Sequence, residues 1–115
     1  PSEIELEYVL NNTKKSGNLL ENKSFKEHSY TSKRFFDNFY GNLWVWSSSP
    51  YLPYKNYSSY KESLSEYNGK FMCNQYVLKG GSFATSINHI RATYRNFYYP
   101  SDRWQFVGLR LIKNQ

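Results

Sequence analysis

Cysteine, glycine and proline are scarce in this sequence, and the shortage of cysteine excludes the most. The 115 residues include one cysteine, four prolines and six glycines. Because one thiol cannot form an internal disulfide, the chain is not a disulfide-stapled secreted scaffold. Cys73 has neither a second cysteine nor a histidine close to it in sequence, so we predict a small buried side chain rather than a catalytic thiol.

Long apolar runs and blocks of like charge are also missing. No stretch approaches the length of a membrane span and no signal peptide opens the sequence, so we expect a cytoplasmic protein. The net charge of +6 favours anionic partners, but the basic residues are scattered. Lys14-Lys15 and Lys33-Arg34 are too short for a nucleic-acid-binding tail. We therefore expect small molecules with carboxylates as partners, and neither nucleic acid nor a membrane.

Aromatic residues are abundant instead. They make up 20% of the chain, with 12 tyrosines, eight phenylalanines and three tryptophans. Rings bury large areas, and the polar tips of tyrosine and tryptophan need hydrogen-bond partners. The length fits one domain over residues 1–115, and the composition favours a loop-rich α+β or β class over a helical bundle.

Local patterns predict one helix and several short strands. Ser2 and Glu5 have the spacing of a capping box, which predicts a helix over residues 1–10 with Ile4 and Tyr8 near one face. Strands are predicted at 44–46, 76–78 and 90–97, and a last one where Val107, Leu109 and Leu111 alternate. Gly80-Gly81 predicts a tight turn after the second of these strands. Loops are predicted over 13–33 and 47–68.

Several motifs occur in the order and spacing of a known enzyme family. They are residues 41–46 (GNLWVW), 66–72 (EYNGKFM), 77–82 (VLKGGS), 89–97 (HIRATYRNF) and 103–111 (RWQFVGLRL), preceded by 1–8 (PSEIELEY). The chain thereby resembles the C-terminal part of the ergothioneine-type sulfoxide synthases, a branch of the formylglycine-generating-enzyme superfamily. The formylglycine-generating enzymes themselves hold copper with a cysteine pair, which this sequence lacks.

The resemblance implies both a fold and an activity. The fold is the formylglycine-generating-enzyme fold, which is C-type-lectin-like, loop-rich and built of short antiparallel strands. The parent enzyme would be a non-haem iron oxygenase that uses O₂ to join the sulfur of γ-glutamylcysteine or cysteine to the imidazole of trimethylated histidine, leaving a sulfoxide. Val45 replaces the glutamate usual between the two tryptophans, which casts doubt on a structural cation there.

Iron in that family is bound by three histidines of an N-terminal helical domain. This sequence has only His28 and His89, outside any paired ligand motif, and we expect loop or hydrogen-bonding roles for them. Pro1 stands where an initiator methionine would. We therefore expect an N-terminally truncated chain, Fe(II) ligands in an upstream domain, and no activity in the isolated chain.

The resemblance also implies site residues. Tyr67 is matched to the active-site tyrosine of the family. A tyrosine suits this role because a neutral phenol can donate a proton near pH 7. Tyr51 and Tyr54 are the alternatives. The predicted substrate-binding residues are Arg95, Asn96, Phe97, Asp102, Arg103, Trp104 and Phe106. Arginine forks suit carboxylates, and aromatic faces suit a quaternary ammonium.

Structural roles are the alternative for this group. Asp102 could form a salt bridge with Arg103 or Arg95, with Trp104 and Phe106 in the core. Two other function classes also stay open: a non-catalytic C-type-lectin-like module that binds a ligand with an aromatic loop, and an ovothiol-type synthase acting on unmethylated histidine.

Overall fold

A computed structural model describes residues 1–22, 38–58 and 66–113. Its elements in chain order are α1 (Glu3–Asn11), β1 (Gly17–Asn18), a 3₁₀ turn (Leu20–Asn22), β2 (Tyr40–Gly41), β3 (Trp44–Pro50), α2 (Glu66–Gly69), β4 (Tyr76–Lys79), β5 (Asn96–Tyr98) and β6 (Val107–Gly108). The predicted loops over 13–33 and 47–68 lie partly outside the described residues. His28 lies wholly outside them. Short elements joined by long irregular segments make this a loop-rich α+β fold.

The capping box predicted for α1 is confirmed. The Ser2 hydroxyl accepts a hydrogen bond from the Glu5 amide (3.3 Å), and the Glu5 carboxylate accepts one from the Ser2 amide (2.7 Å). These two bonds satisfy amides that have no partner within the first turn of a helix. Asn12 is the C-cap, and the helix ends at Asn11, one residue beyond the predicted end.

The buried face of α1 is not the face that carries Ile4 and Tyr8. Ile4 and Tyr8 are 81% and 70% exposed, whereas Glu3, Leu6 and Leu10 are buried. The physical reason is that Glu3 finds cationic partners on β4 and beside β5, and these stabilise an acidic residue in the contact between α1 and the sheet. The side-chain direction of the helix then turns Ile4 and Tyr8 outward.

The main sheet has the strand order β5-β4-β3-β6. Both β3–β4 and β4–β5 are antiparallel, as the predicted class requires. That prediction is wrong for β6, which runs parallel to β3, and for the separate β1–β2 pair, which is also parallel. Helix α1 packs against β3 and β4.

Two predicted strands are shorter than expected. Of residues 90–97, only the end belongs to β5, which continues to Tyr98. β6 ends at Gly108, since its pairing with β3 consists of Val107 opposite Trp44 and Gly108 opposite Val45. The side chains of Leu109 and Leu111, which alternation predicted to be in a strand, are exposed.

The core lies between the end of α1, β2 and the segment that follows β4. Its clustered members are Leu10, Leu19, Tyr40, Ile90 and Ala92. Gly81 has a φ of +83°, and a Cβ there would lie 2.6 Å from Ile90 Cγ2, so the predicted glycine turn is confirmed and has a packing reason. Cys73 is exposed, which overturns the prediction of a buried thiol. Among the described residues, no helix is both long and apolar enough to cross a membrane.

Candidate functional site

A network of charged side chains lies between α1 and the sheet. Lys79, with 1% of its side chain exposed, places its Nζ 2.8 Å from Glu7 Oε2 and 3.5 Å from Glu3 Oε1, and donates to the Ala92 carbonyl. Arg95 pairs with the same Glu3 carboxylate, with Nε 2.7 Å from Oε1. Glu3, Glu7, Lys79 and Arg95 are called the Glu3 network below. Its two carboxylates and two cations balance, which is how buried charges are tolerated.

Arg95 is held on several sides. Its Nη2 donates to Glu3 Oε2 (3.1 Å), and its Nη1 donates to the Leu52 carbonyl (3.0 Å). The guanidinium lies 4.7 Å from the ring centroid of Tyr51 and 4.3 Å from that of Tyr54. Only 14% of the side chain is exposed, so Arg95 lies inside the domain with its nitrogens engaged.

Asn96 and Phe97 follow directly in β5. The Phe97 ring stacks on Tyr51 with centroids 4.1 Å apart and planes 11° apart, and it also meets Phe71 at 5.7 Å. Successive residues of a strand point to opposite faces of the sheet. Phe97 is therefore on the face that carries Arg95 and Tyr51, whereas Asn96 is on the other face with Tyr98.

Residues 98–106, called the aromatic loop, carry the rest of the predicted group. Trp104 is 71% exposed and contacts the Tyr98 ring edge-on at 5.1 Å, and Phe106 is 49% exposed beside Phe83. Asp102 accepts a hydrogen bond from the Tyr99 amide, which closes a turn. The exposed Arg103 donates to the Pro100 and Asp102 carbonyls. This loop presents the rings of Tyr99, Trp104 and Phe106 and one guanidinium at the surface.

An open cleft of about 560 Å³ lies beside the aromatic loop. Tyr99, Pro100 and Ser101 form one side, and Pro50 and Tyr76 contribute from the ends of β3 and β4. Ligand pockets for small molecules usually have volumes in the range of roughly 300 to 1,000 Å³. The cleft is thus of the size that a small substrate requires.

These positions differ from those expected under the structural alternative for the group. Trp104 and Phe106 are exposed rather than in the core, and Arg95 pairs with Glu3 rather than with Asp102. The predicted residues divide into two sets. Arg95 and Phe97 are on the inner face with the Glu3 network, and Asp102, Arg103, Trp104 and Phe106 are in the aromatic loop.

The three candidate tyrosines differ in their surroundings. Tyr67 belongs to α2, and its side chain lies outside the described part of the chain. Burial raises the pKa of the Tyr51 phenol. Burial, followed by the hydrogen bond from its hydroxyl to Glu3 Oε1 (2.9 Å), raises the pKa of Tyr54 to about 12. Tyr51 and Tyr54 are thus both committed to packing around Arg95, whereas the prediction for Tyr67 stays a prediction.

The described residues do not fit an iron site. Within residues 1–22, 38–58 and 66–113, no group of three or more His, Cys, Asp or Glu side chains is arranged to hold a metal ion. His89 is exposed and packs its ring edge against Tyr94 with centroids 4.6 Å apart.

Comparison with known proteins places the chain in a family. A model of the sulfatase-modifying factor enzyme 1-like domain matches residues 1–115. The chain belongs to this family. Curated relatives of this sulfatase-modifying factor enzyme 1-like domain include "Hercynine oxygenase" of Mycolicibacterium thermoresistibile, 34% identical over 76 residues, and of Mycobacterium tuberculosis, 33% identical over 72. "Ergothioneine biosynthesis protein 1" of Schizosaccharomyces pombe is 32% identical over 73 residues.

Each of these matches covers 62% of this domain but little of the relative. The share of the relative is 17% for the M. thermoresistibile protein, 16% for the M. tuberculosis protein and 9% for the S. pombe protein. The sulfatase-modifying factor enzyme 1-like domain thus corresponds to a small part of a longer protein in each case.

Sequence reasoning missed two residues of this domain that organise the site. Glu3 and Lys79 connect α1 to the segment containing Arg95, but in the sequence each is recognisable only as a member of a family motif. The available signal was the presence of an acidic residue at the start of a helix and of a lysine in an otherwise apolar strand. Their pairing joins residues distant in sequence, which no local pattern reveals.

Proposed function

We propose that this chain is the substrate-binding part of an O₂-dependent sulfoxide synthase of ergothioneine biosynthesis. The parent protein would form a C–S bond between hercynine, the trimethylated histidine, and γ-glutamylcysteine or cysteine. The observation that carries the proposal is the exposed aromatic loop, in a domain whose curated relatives are named hercynine oxygenase.

The aromatic loop offers groups that match hercynine. A quaternary ammonium cannot donate hydrogen bonds and is attracted to the face of an aromatic ring, for which Trp104 is the best residue type. Phe106 adds a second exposed ring. Arg103 supplies a guanidinium for a carboxylate, and Asp102 fixes the turn that presents it.

The residues on the inner face with the Glu3 network have a different role in the proposal. Arg95 is predicted to clamp a carboxylate, but its nitrogens already face Glu3 and the Leu52 carbonyl. We therefore give carboxylate recognition to Arg103. Asn96 and Phe97 are kept as substrate-facing residues, one on each face of β5.

Tyr67 is the proposed proton donor of the reaction. A phenol of ordinary pKa stays neutral near pH 7 and can give a proton or a hydrogen bond to a reacting oxygen. Tyr54 is a poorer choice because its hydroxyl already donates to Glu3, and Tyr51 is buried.

The rest of the proposal concerns the parent protein. We propose a C-type-lectin-like fold for this domain and, in the parent protein, an upstream helical domain that supplies the Fe(II) ligands. Iron would supply the activation of O₂. The proposed location is the cytoplasm, and no nucleic acid or membrane partner is proposed.

The test is to express the full open reading frame, load it with Fe(II), and follow O₂ uptake and products. We expect a sulfoxide from hercynine with γ-glutamylcysteine or cysteine. A product from unmethylated histidine alone would point to an ovothiol-type synthase. Hercynine binding without O₂ uptake would point to a ligand-binding module, and either outcome contradicts the proposal.

A further inference from the structure

The Glu3 carboxylate is the meeting point of three separate segments. Only 8% of its side chain is exposed, and it faces Arg95 Nε (2.7 Å) and Nη2 (3.1 Å). The same carboxylate accepts the hydroxyl hydrogen bond of Tyr54. Nη2 makes a charge-assisted hydrogen bond, whereas Nε makes a close ion pair with the same carboxylate but no hydrogen bond.

Arg95 transmits this constraint to Tyr51. Its guanidinium is fixed by Glu3 on one side and by the Leu52 carbonyl on the other, and it lies 4.7 Å from the Tyr51 ring centroid. Tyr51 is 5% exposed, so its ring is enclosed by the residues around it. Arg95 is one of these contacts.

Tyr51 in turn fixes Phe97. The two rings are nearly parallel, with planes 11° apart and centroids 4.1 Å apart. A continuous set of side-chain contacts therefore joins Glu3 in α1 to Phe97 in β5. Asn96 points to the other face of the sheet, where pairing with β4 holds its main chain, and lies outside this set.

We propose that Glu3 is a positioning residue, which acts through Arg95 and Tyr51 to set the orientation of Phe97. The inference rests on the proposed function, because the orientation of Phe97 matters for binding only if Phe97 faces substrate. Attachment of α1 does not depend on Glu3 alone. Leu6 and Leu10 are buried beneath the helix, and Glu7 makes its own 2.8 Å pair with Lys79.

The chain offers a matched control for this role. Glu3 and Glu7 are carboxylates of the same helix, and both face Lys79, but of the two it is Glu3 that pairs with Arg95. Glu3→Gln and Glu7→Gln each replace a carboxylate with a neutral amide of similar shape. A purely structural role predicts similar effects of the two changes on binding.

The experiment measures hercynine binding by calorimetry, together with KM, kcat and the thermal midpoint, on the full-length protein. We expect Glu3→Gln to raise the Kd and KM for hercynine about tenfold, equivalent to ~1.4 kcal/mol, with kcat within about twofold. Glu7→Gln should lower the thermal midpoint but change the hercynine Kd less than about twofold. Glu3→Asp keeps the charge on a shorter side chain and should restore part of the affinity.

Two results would overturn the positioning role: a wild-type Kd in Glu3→Gln, or equal losses of affinity in the Glu3 and Glu7 variants. If Glu3→Gln does not fold, Glu3→Asp decides, and a wild-type Kd in that variant overturns the role. Failure of the wild-type protein to bind hercynine or form sulfoxide would instead refute the proposed function. Turnover by the wild type with an unaffected Glu3→Gln would refute the positioning role alone.

Discussion

Two arginines of neighbouring segments, Arg95 and Arg103, occupy opposite environments. Arg95 lies in the Glu3 network, with a carboxylate, a carbonyl and two rings around it. Arg103 is on the exposed aromatic loop and bonds to main-chain carbonyls. One arginine side chain thus holds the domain together, and the other faces solvent. Burial and partners, rather than residue type or motif, separate the two roles.

The largest effect on stability is expected at the centre of the Glu3 network. Lys79→Ala would leave Glu7 without its cation and remove one partner of Glu3 in the contact between α1 and the sheet. We expect a loss of about 3 kcal/mol in the free energy of unfolding. Urea unfolding measures it, with the exposed Lys113→Ala as control, which should change stability by less than about 0.5 kcal/mol. Equal effects of the two changes would contradict the internal role of the network.

A smaller loss is expected where the interior packs against a glycine. Gly81→Ala would place a Cβ 2.6 Å from Ile90 Cγ2 at a positive φ, which should cost about 2 kcal/mol. Gly69→Ala is the matched control, because its nearest neighbour is Tyr57 Oη at 3.8 Å. The control should be neutral or slightly stabilising in thermal unfolding, and a neutral Gly81→Ala would show that this part of the interior can relax.

Replacing an exposed ring should matter even less for stability. Trp104 makes an edge-on contact with Tyr98 but is largely in solvent. Trp104→Ala should therefore lower the free energy of unfolding by less than about 1 kcal/mol. A larger loss in urea unfolding would mean that the aromatic loop supports the fold in the way that the Glu3 network does.

The smallest effect concerns acid sensitivity at the start of α1. Hydrogen bonds from the Ser2 amide and hydroxyl lower the pKa of Glu5 from its usual 4.5. A lowered pKa in the folded state adds stability above pH 4.5, and this contribution is lost as the pH falls through the folded-state pKa. Glu5→Gln should therefore be less stable than wild type at pH 7, and the difference in thermal midpoint should shrink on acidification. A difference independent of pH would refute the role of the ionised capping box.

Local signals in the sequence predicted the parts of the fold that depend on local chemistry. The Ser2–Glu5 spacing gave the start of α1, and Gly80-Gly81 gave the turn after β4. The buried face of α1 was beyond such reasoning, because Ile4 is more hydrophobic than Glu3 when each is considered alone. Glu3 is buried because Lys79 and Arg95 meet it in three dimensions.

The candidate site was predictable to a similar degree. Family motifs brought Arg95, Phe97 and Trp104 into one expected group, but sequence proximity could not reveal that Arg95 pairs with the distant Glu3 whereas Trp104 is exposed. The parallel pairing of β6 with β3 was also hidden, since Val107 and Gly108 carry no signal of strand direction.

Hercynine affinity of the full-length protein tests the contrast between the two regions most directly. Removing an aromatic face from a quaternary ammonium costs ~0.5 to 2 kcal/mol, so Trp104→Ala should raise the hercynine Kd between about twofold and thirtyfold. Tyr8→Ala, which removes an equally exposed ring from α1, should leave the Kd unchanged. If Trp104→Ala binds hercynine as tightly as the wild type does, the aromatic loop is not the ammonium site and the proposed function loses its structural support.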